Sequence, residues 1–345
     1  MDIETYANLY DLFVGGTNVM ILRKMLEDHF TFPRSTVQAR QQTMDFIFER
    51  LSLYTLETKK QKFKARTDDG TAIEGTNVIG VIPGKNRGEP ENGVIVIGAH
   101  YDSHENSAGV DDNGSGIVAL LEVCRILSPK MNKFNNTIIF VAFDLEKRGI
   151  LGSLAFVNQY LIPTEISRKR ANFIGAYILD MVLNFDPSVR SQTVPFDVGT
   201  AIPDAMAYLK EGNYKGDFLS VWSRRVIDWD LWYPFQKAWM KEDEFSEHKL
   251  VIIDPPIPRA PVLLSNWRYR SFLRGDHAAF WSHKHFAFKD SLRAVLLTDT
   301  GSWRGYMRVC FHEFCDDRTH ITTDNLEFLR HVVDSLSAAV AFLGE

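Results

Sequence analysis

The chain has 345 residues, 45% hydrophobic and 24% charged, with a formal net charge of −5. This supports a sizeable core and excludes global disorder, and it offers no electrostatic footprint for nucleic acid. No run of about 18 apolar residues marks a membrane span, and three cysteines are too few for a disulfide scaffold.

The N-terminus, MDIETYANLYDLFVGG, is acidic and shows neither the charged nor the apolar region of a signal peptide. Residues 1 to about 52 read as helical: Leu22, Leu26, Phe46, Ile47 and Leu51 recur at helical spacing, and Pro33 splits the run in two. TLETKKQKFKA and TNVIGVIPG follow as antiparallel edge strands. GVIVIGAH is a continuous β-branched run, as a strand buried on both faces requires. NGSGIVALLEVCRIL is a helix whose apolar side holds Ile117, Leu120, Leu121 and Cys124, the last a buried free thiol. NTIIFVAFD, NFIGAYILDMV and AVLLTDT are further strands, with the helix GSLAFVNQYL after the first. DNLEFLRHVVDSLSAAVAFL closes the chain as a long amphipathic helix.

Strands alternating with helices predict an α/β fold, with a mixed, mostly parallel central sheet covered by helices on both faces. The expectation is one domain over 1–345. Residues 200–270, rich in Trp, Tyr and Pro, are expected to form an aromatic insertion lying over the site, most of its rings simply packing against the core.

Several strands end in metal-competent residues, and ligands of open α/β sheets bind at the carboxyl ends of strands. His100, Asp102, Asp112, Glu146, Asp180 and His312 therefore have a common place to meet, although a lone His or Asp after a strand is usually a cap or turn residue. Asn113-Gly-Ser and Asn135-Asn-Thr are glycosylation sequons, the first inside the ligand loop.

GAHYDS followed by GVDDNGSG resembles the signature of the co-catalytic zinc aminopeptidase family, whose fold is shared by glutaminyl cyclases and by some non-catalytic domains. FDLEKRGILGS resembles the family's paired-Glu segment, YILDMV its Asp-bearing strand, RGDHAAFW its Ser-Asp-His stretch with Gly275 in place of Ser, and FHEFCDD its late His segment. The likeness spans about residues 20–343, and 200–270 has no clear counterpart. It implies a zinc exopeptidase fold and release of N-terminal residues from a peptide substrate.

It further implies that His100, Asp112 and Asp180 bind one zinc, and that Asp112 bridges to a second, which His312 and position 147 complete. Asp102 would hold the other ring nitrogen of His100. Glu146 would be the general base for water activated by the metal. The spacing from His312 to Asp316 favours His312 over His320 as the ligand, and a Cys310–Cys315 disulfide would stiffen its loop. His104, His277, His283, His285 and His331 are expected to be surface or structural.

Where the family has Glu, this chain has Lys147. An ammonium about 4 Å from a divalent ion is repelled by roughly 8 kcal/mol at an effective dielectric of ~20. Zinc in the second position would keep only Asp112 and His312, too few for a tight site. Three outcomes follow: Lys147 deprotonates and ligates, swings into solvent, or pairs with Asp112 and takes over the missing charge. The expectation is one zinc ion, with the second in doubt. A secreted or extracytoplasmic location is expected, the cytoplasm being the alternative. Rival readings are a non-catalytic pseudopeptidase and a glutaminyl-cyclase-like acyl transferase, and the single zinc of the latter resembles the position damaged here.

Overall fold

A computed structural model describes residues 16–67, 69–242, 247–283 and 289–345. The expected helices at residues 1–15 and the side chain of His285 lie outside them.

Eight strands form one sheet: β1 (Glu57–Arg66), β2 (Ala72–Ile82), β3 (Gly93–His100), β4 (Thr137–Phe143), β5 (Asn172–Leu179), β6 (Phe218–Trp222), β7 (Lys249–Ile253) and β8 (Ala294–Thr298). Their order is β1-β2-β4-β3-β5-β8-β6-β7. The pairs β3/β4, β3/β5, β5/β8 and β6/β7 are parallel. The pairs β1/β2, β2/β4 and β6/β8 are antiparallel. The mixed, mostly parallel sheet is as expected.

The pleat divides each central strand between two cores. Ile95, Ile97 and Ala99 of β3, with Ile138, Phe140 and Ala142 of β4, face one apolar cluster. Val94 and Val96, with Ile139, Val141 and Phe143, face the other. The first face is covered by α1 (Val19–His29), α2 (Val37–Tyr54), α3 (Gly116–Leu127), α6 (Trp229–Glu242) and α8 (Thr323–Gly344). The second is covered by α4 (Leu151–Phe156) with the helical turns that continue to Arg168, by α5 (Pro203–Glu211) and by α7 (His277–Trp281). Side-chain oxygens of Asn18, Thr36 and Thr322 cap α1, α2 and α8, satisfying amides the helices leave open.

Two expectations change. TNVIGVIPG is not an edge strand: Val78–Ile82 pairs with β4 on its far side, and this half of β2 is buried throughout. Nor does the aromatic stretch 200–270 lie wholly over the site. β6 and β7 extend the sheet, and the amphipathic spacing of Leu231, Phe235 and Trp239 places α6 on the opposite face, where Trp239 packs against Phe328 of α8. Trp222 at the end of β6 and residues after β7 reach the site, where Pro261–Ser265 and Ser271–Arg274 form a wall of its cleft.

Candidate functional site

The carboxyl ends of β3, β4 and β5 converge on one edge of the sheet. His100 is the last residue of β3 and Asp180 directly follows β5. Glu146 and Lys147 stand in a short turn between β4 and α4. Asp112 lies in the turn leading into α3, and His312 comes from the last loop.

His100 Nε2 lies 3.4 Å from Asp112 Oδ1 and 3.5 Å from Asp180 Oδ1. All three residues are buried, and one donor atom from each lies within 4.8 Å of the others, so together they can hold a metal ion. His100 Nε2 and Asp180 Oδ1 are buried without a hydrogen-bond partner. Leaving such atoms unsatisfied is costly, and one imidazole with two carboxylates is a donor set that suits zinc. The acids Glu146, Asp102 and Asp112 hold the His100 imidazolium well above its usual pKa, against burial and the Lys147 charge. A metal ion bound here would take the place of a proton on His100.

Asp102 meets the other ring nitrogen of His100, chiefly through its main chain. His100 Nδ1 donates to the main-chain oxygen of Asp102 at 3.0 Å, with the carboxylate 3.5 Å away. The Asp102 carboxylate also accepts the backbone N–H groups of Glu146 and Lys147, each at 3.0 Å.

Of the three outcomes for Lys147, the structure has the ion pair. Its Nζ donates to Asp112 Oδ1 at 2.8 Å and lies 3.0 Å from Glu146 Oε2. Burial opposes this charge, yet Asp112, Glu146 and Asp180 outweigh it and hold the ammonium well above its usual pKa. Burial raises the Glu146 carboxyl, with Asp180 and Asp102 adding to it against Lys147 and His100.

Asp112 Oδ2 faces His312 Nε2 at 3.3 Å, and neither atom has a hydrogen-bond partner. The late loop fixes His312 in three ways. Cys310 and Cys315 are disulfide-bonded around it. Its φ is +64°, a turn that most residues avoid. Its ring stacks on His104 with centroids 4.6 Å apart. Asp316 then ties this loop to the ligand turn by accepting the N–H groups of Asp111 and Asp112 at 2.8 and 3.1 Å.

His320 is outside the cluster: its Nε2 donates to Cys315 O and its ring stacks on Tyr306. His331 stacks on Trp239 in the core. His277 and His283 line the cleft, each giving Nε2–H to a main-chain oxygen. Burial lowers the pKa of His277 to about 4, so its ring is neutral. A Cβ on Gly275 would stand 3.1 Å from Asp180 Oδ2 and 3.3 Å from His277 Nδ1, closer than side chains usually pack. Asn113 is buried, with its amide spent on Leu179 O, Gly116 N and Met181 N, so its sequon has no exposed nitrogen. Cys124 is buried and free, and burial raises its thiol well above the usual pKa.

The residue that sequence reading missed is Arg34. Fully buried, it donates from Nε to Tyr101 O at 2.7 Å and from its terminal nitrogens to Ala108 O at 2.5 Å and Gly109 O at 2.9 Å. It clamps the loop between His100 and Asp112. An arginine next to Pro33 carries no sequence mark of this; only the loop's bare carbonyls call for it.

The cluster opens into a cleft of about 1180 Å³ lined by Glu146, Lys147, Asp180 and His312 together with apolar groups including Trp222, Phe272, Leu296 and Trp303. Among the described residues, no helix is long and apolar enough to cross a membrane.

Residues 77–214 match Peptidase family M28. Aminopeptidase YwaD of Bacillus subtilis is 40% identical over 106 residues, which are 31% of this chain and 21% of that one. Leucine aminopeptidase 1 of Sclerotinia sclerotiorum is 31% identical over 132 residues, 35% of this chain and 33% of that one. The aligned parts thus span a fifth to a third of these relatives' length. In structure, BSAP, a zinc aminopeptidase from Bacillus subtilis, superposes with a TM-score of 0.62 at 16% identity, covering 94% of this chain and 95% of that one. A glutaminyl cyclase of Bacteroides thetaiotaomicron gives 0.55 at 15% identity, with 94% and 98% covered. The expected resemblance holds: residues 77–214, which carry five of the six site positions, match Peptidase family M28, and the chain has the fold of the zinc aminopeptidases.

Proposed function

We propose that the chain is a metal-dependent aminopeptidase that releases N-terminal residues from peptides, with one zinc ion held by His100, Asp112 and Asp180. The observation that carries this reading is the buried trio of His100, Asp112 and Asp180, within 4.8 Å of one another, with His100 Nε2 and Asp180 Oδ1 unpartnered. A divalent ion held there acidifies water and polarises a carbonyl. Glu146, beside the trio and lining the cleft, takes a proton from the attacking water as its oxygen bonds to the scissile carbonyl carbon. The C–N bond then breaks and Glu146 returns that proton to the leaving amine, giving a free amino acid and a shortened peptide. Trp222, Phe272 and Leu296 suit an apolar first side chain.

The peptidase relatives and the aminopeptidase neighbours support the reaction class. The Cys310–Cys315 disulfide supports work in an oxidising compartment, in keeping with a secreted protein. Against the acyl-transferase reading stands Lys147, whose ammonium is paired with Asp112 where that reading needs a metal ligand.

The test is turnover of aminoacyl-anilides and dipeptides by the purified protein with added zinc. Hydrolysis is expected, and Glu146→Gln lowers kcat by about 10²–10⁴-fold. A wild-type protein that leaves the whole panel untouched refutes the reading and favours a pseudopeptidase.

A further inference from the structure

Lys147 brings a fixed positive charge into a place where the resemblance calls for a negative ligand. Its amide is tied to Asp102 Oδ2, its ammonium bonds Asp112 Oδ1, and Glu146 faces it at 3.0 Å. The side chain is only 13% exposed, and it is held over the Phe311 ring at 5.8 Å from the centroid. This is a seated side chain with several partners.

We propose that the Lys147 ammonium serves as the second cation of this site, limiting it to one metal ion and donating a hydrogen bond to the substrate's scissile carbonyl oxygen. The donor role rests on the aminopeptidase reading; the metal count does not.

Charge balance argues for the first half. Asp112, Asp180 and Glu146 supply three negative charges facing the ion position. One ammonium and one divalent ion neutralise them. A second divalent ion would leave two uncompensated positive charges in a buried centre, which is costly. Among the described residues it would find Asp112 Oδ2 and His312 Nε2 facing each other, short of the three or four ligands that zinc takes from proteins.

Donor count argues for the second half. An ammonium has three N–H groups. Asp112 takes one and Glu146 faces a second, while Lys147 lines the cleft, so a third is open to a ligand. Negative charge grows on the carbonyl oxygen as water adds to the carbon, and a fixed cation beside it stabilises that change more than the bound substrate.

The test compares wild type, Lys147→Glu and Lys147→Met. Zinc is counted by elemental analysis after equilibration with excess zinc and gel filtration. Binding of 1-butaneboronic acid, whose tetrahedral anion imitates the growing oxyanion, is measured by calorimetry, and turnover is measured on leucine anilide. The expected counts are one zinc for wild type and Lys147→Met and two for Lys147→Glu. Lys147→Met is expected to bind the boronic acid at least about tenfold more weakly, and its kcat to fall about 100-fold with KM within about threefold. Two zinc ions in wild type, or one in Lys147→Glu, overturn the cation role. Unchanged boronate affinity in Lys147→Met overturns the donor role. Should wild type hydrolyse nothing, the aminopeptidase reading and the donor role fail together, while the zinc counts still decide whether Lys147 is the second cation. Lys147→Gln, which keeps a donor without the charge, replaces Lys147→Met if that variant does not fold.

Discussion

The two carboxylate oxygens of Asp102 each accept one backbone N–H, from Glu146 and from Lys147, and its main-chain oxygen accepts Nδ1–H of His100. One residue thereby sets both the imidazole of the proposed ligand His100 and the turn that carries the proposed base. Its carboxylate lies 3.5 Å from His100 Nδ1, on the far side of the ring from Nε2, so it acts through position and through its charge. Asp102→Ala keeps the main-chain contact but frees the turn, and zinc affinity is expected to drop about 10–100-fold, read by competition with a chromophoric chelator. An affinity within about twofold of wild type would show that the turn holds its shape without Asp102. The residue type at 102 was legible in GAHYDS, but its partners were not. Sequence offered the ring of His100 as the nearest candidate, and only the fold brings the start of the β4–α4 turn against it.

At the scale of elements, the site depends on two loops with little regular structure of their own. The loop between His100 and Asp112 has its carbonyls gathered by Arg34, whose pKa burial lowers to about 10 while Asp316, Asp112 and Asp102 oppose that shift. The loop around His312 is closed by Cys310–Cys315 and tied through Asp316 to the turn bearing Asp112. Removing the Arg34 guanidinium strands the carbonyls of Tyr101 and Gly109 in a buried place, at about 1–3 kcal/mol each, and that of half-buried Ala108 with them. Arg34→Met is therefore expected to lose about 3–5 kcal/mol in urea unfolding. A loss below about 1 kcal/mol would mean that water or a relaxed backbone satisfies those carbonyls. The strands feeding these loops were legible because their β-branched runs are continuous. β6 and β7 were not, since FLSVW and KLVII are short and set among aromatics that read equally well as a cap.

Across the whole molecule, the sheet brings together residues more than 200 positions apart, from His100 to His312. Its order could be foreseen only in class: the alternation of strands and helices announces a mixed sheet, whereas the placement of β8 between β5 and β6 depends on pairings that no local pattern encodes. The candidate ligands could be named because His100 closes β3 and Asp180 follows β5, while Asp112 and His312 stand in stretches that resemble the family's motifs. The fate of Lys147 could not, because three geometries satisfied the same sequence and packing against Asp112 and Glu146 selects one.

The account stands on a single ion held by His100, Asp112 and Asp180. Crystals equilibrated with zinc and measured at the zinc absorption edge test this directly. One strong anomalous peak is expected, about 2.0–2.2 Å from His100 Nε2 and from a carboxylate oxygen of each of Asp112 and Asp180. No peak there, or two of equal height with the second beside His312, would contradict it.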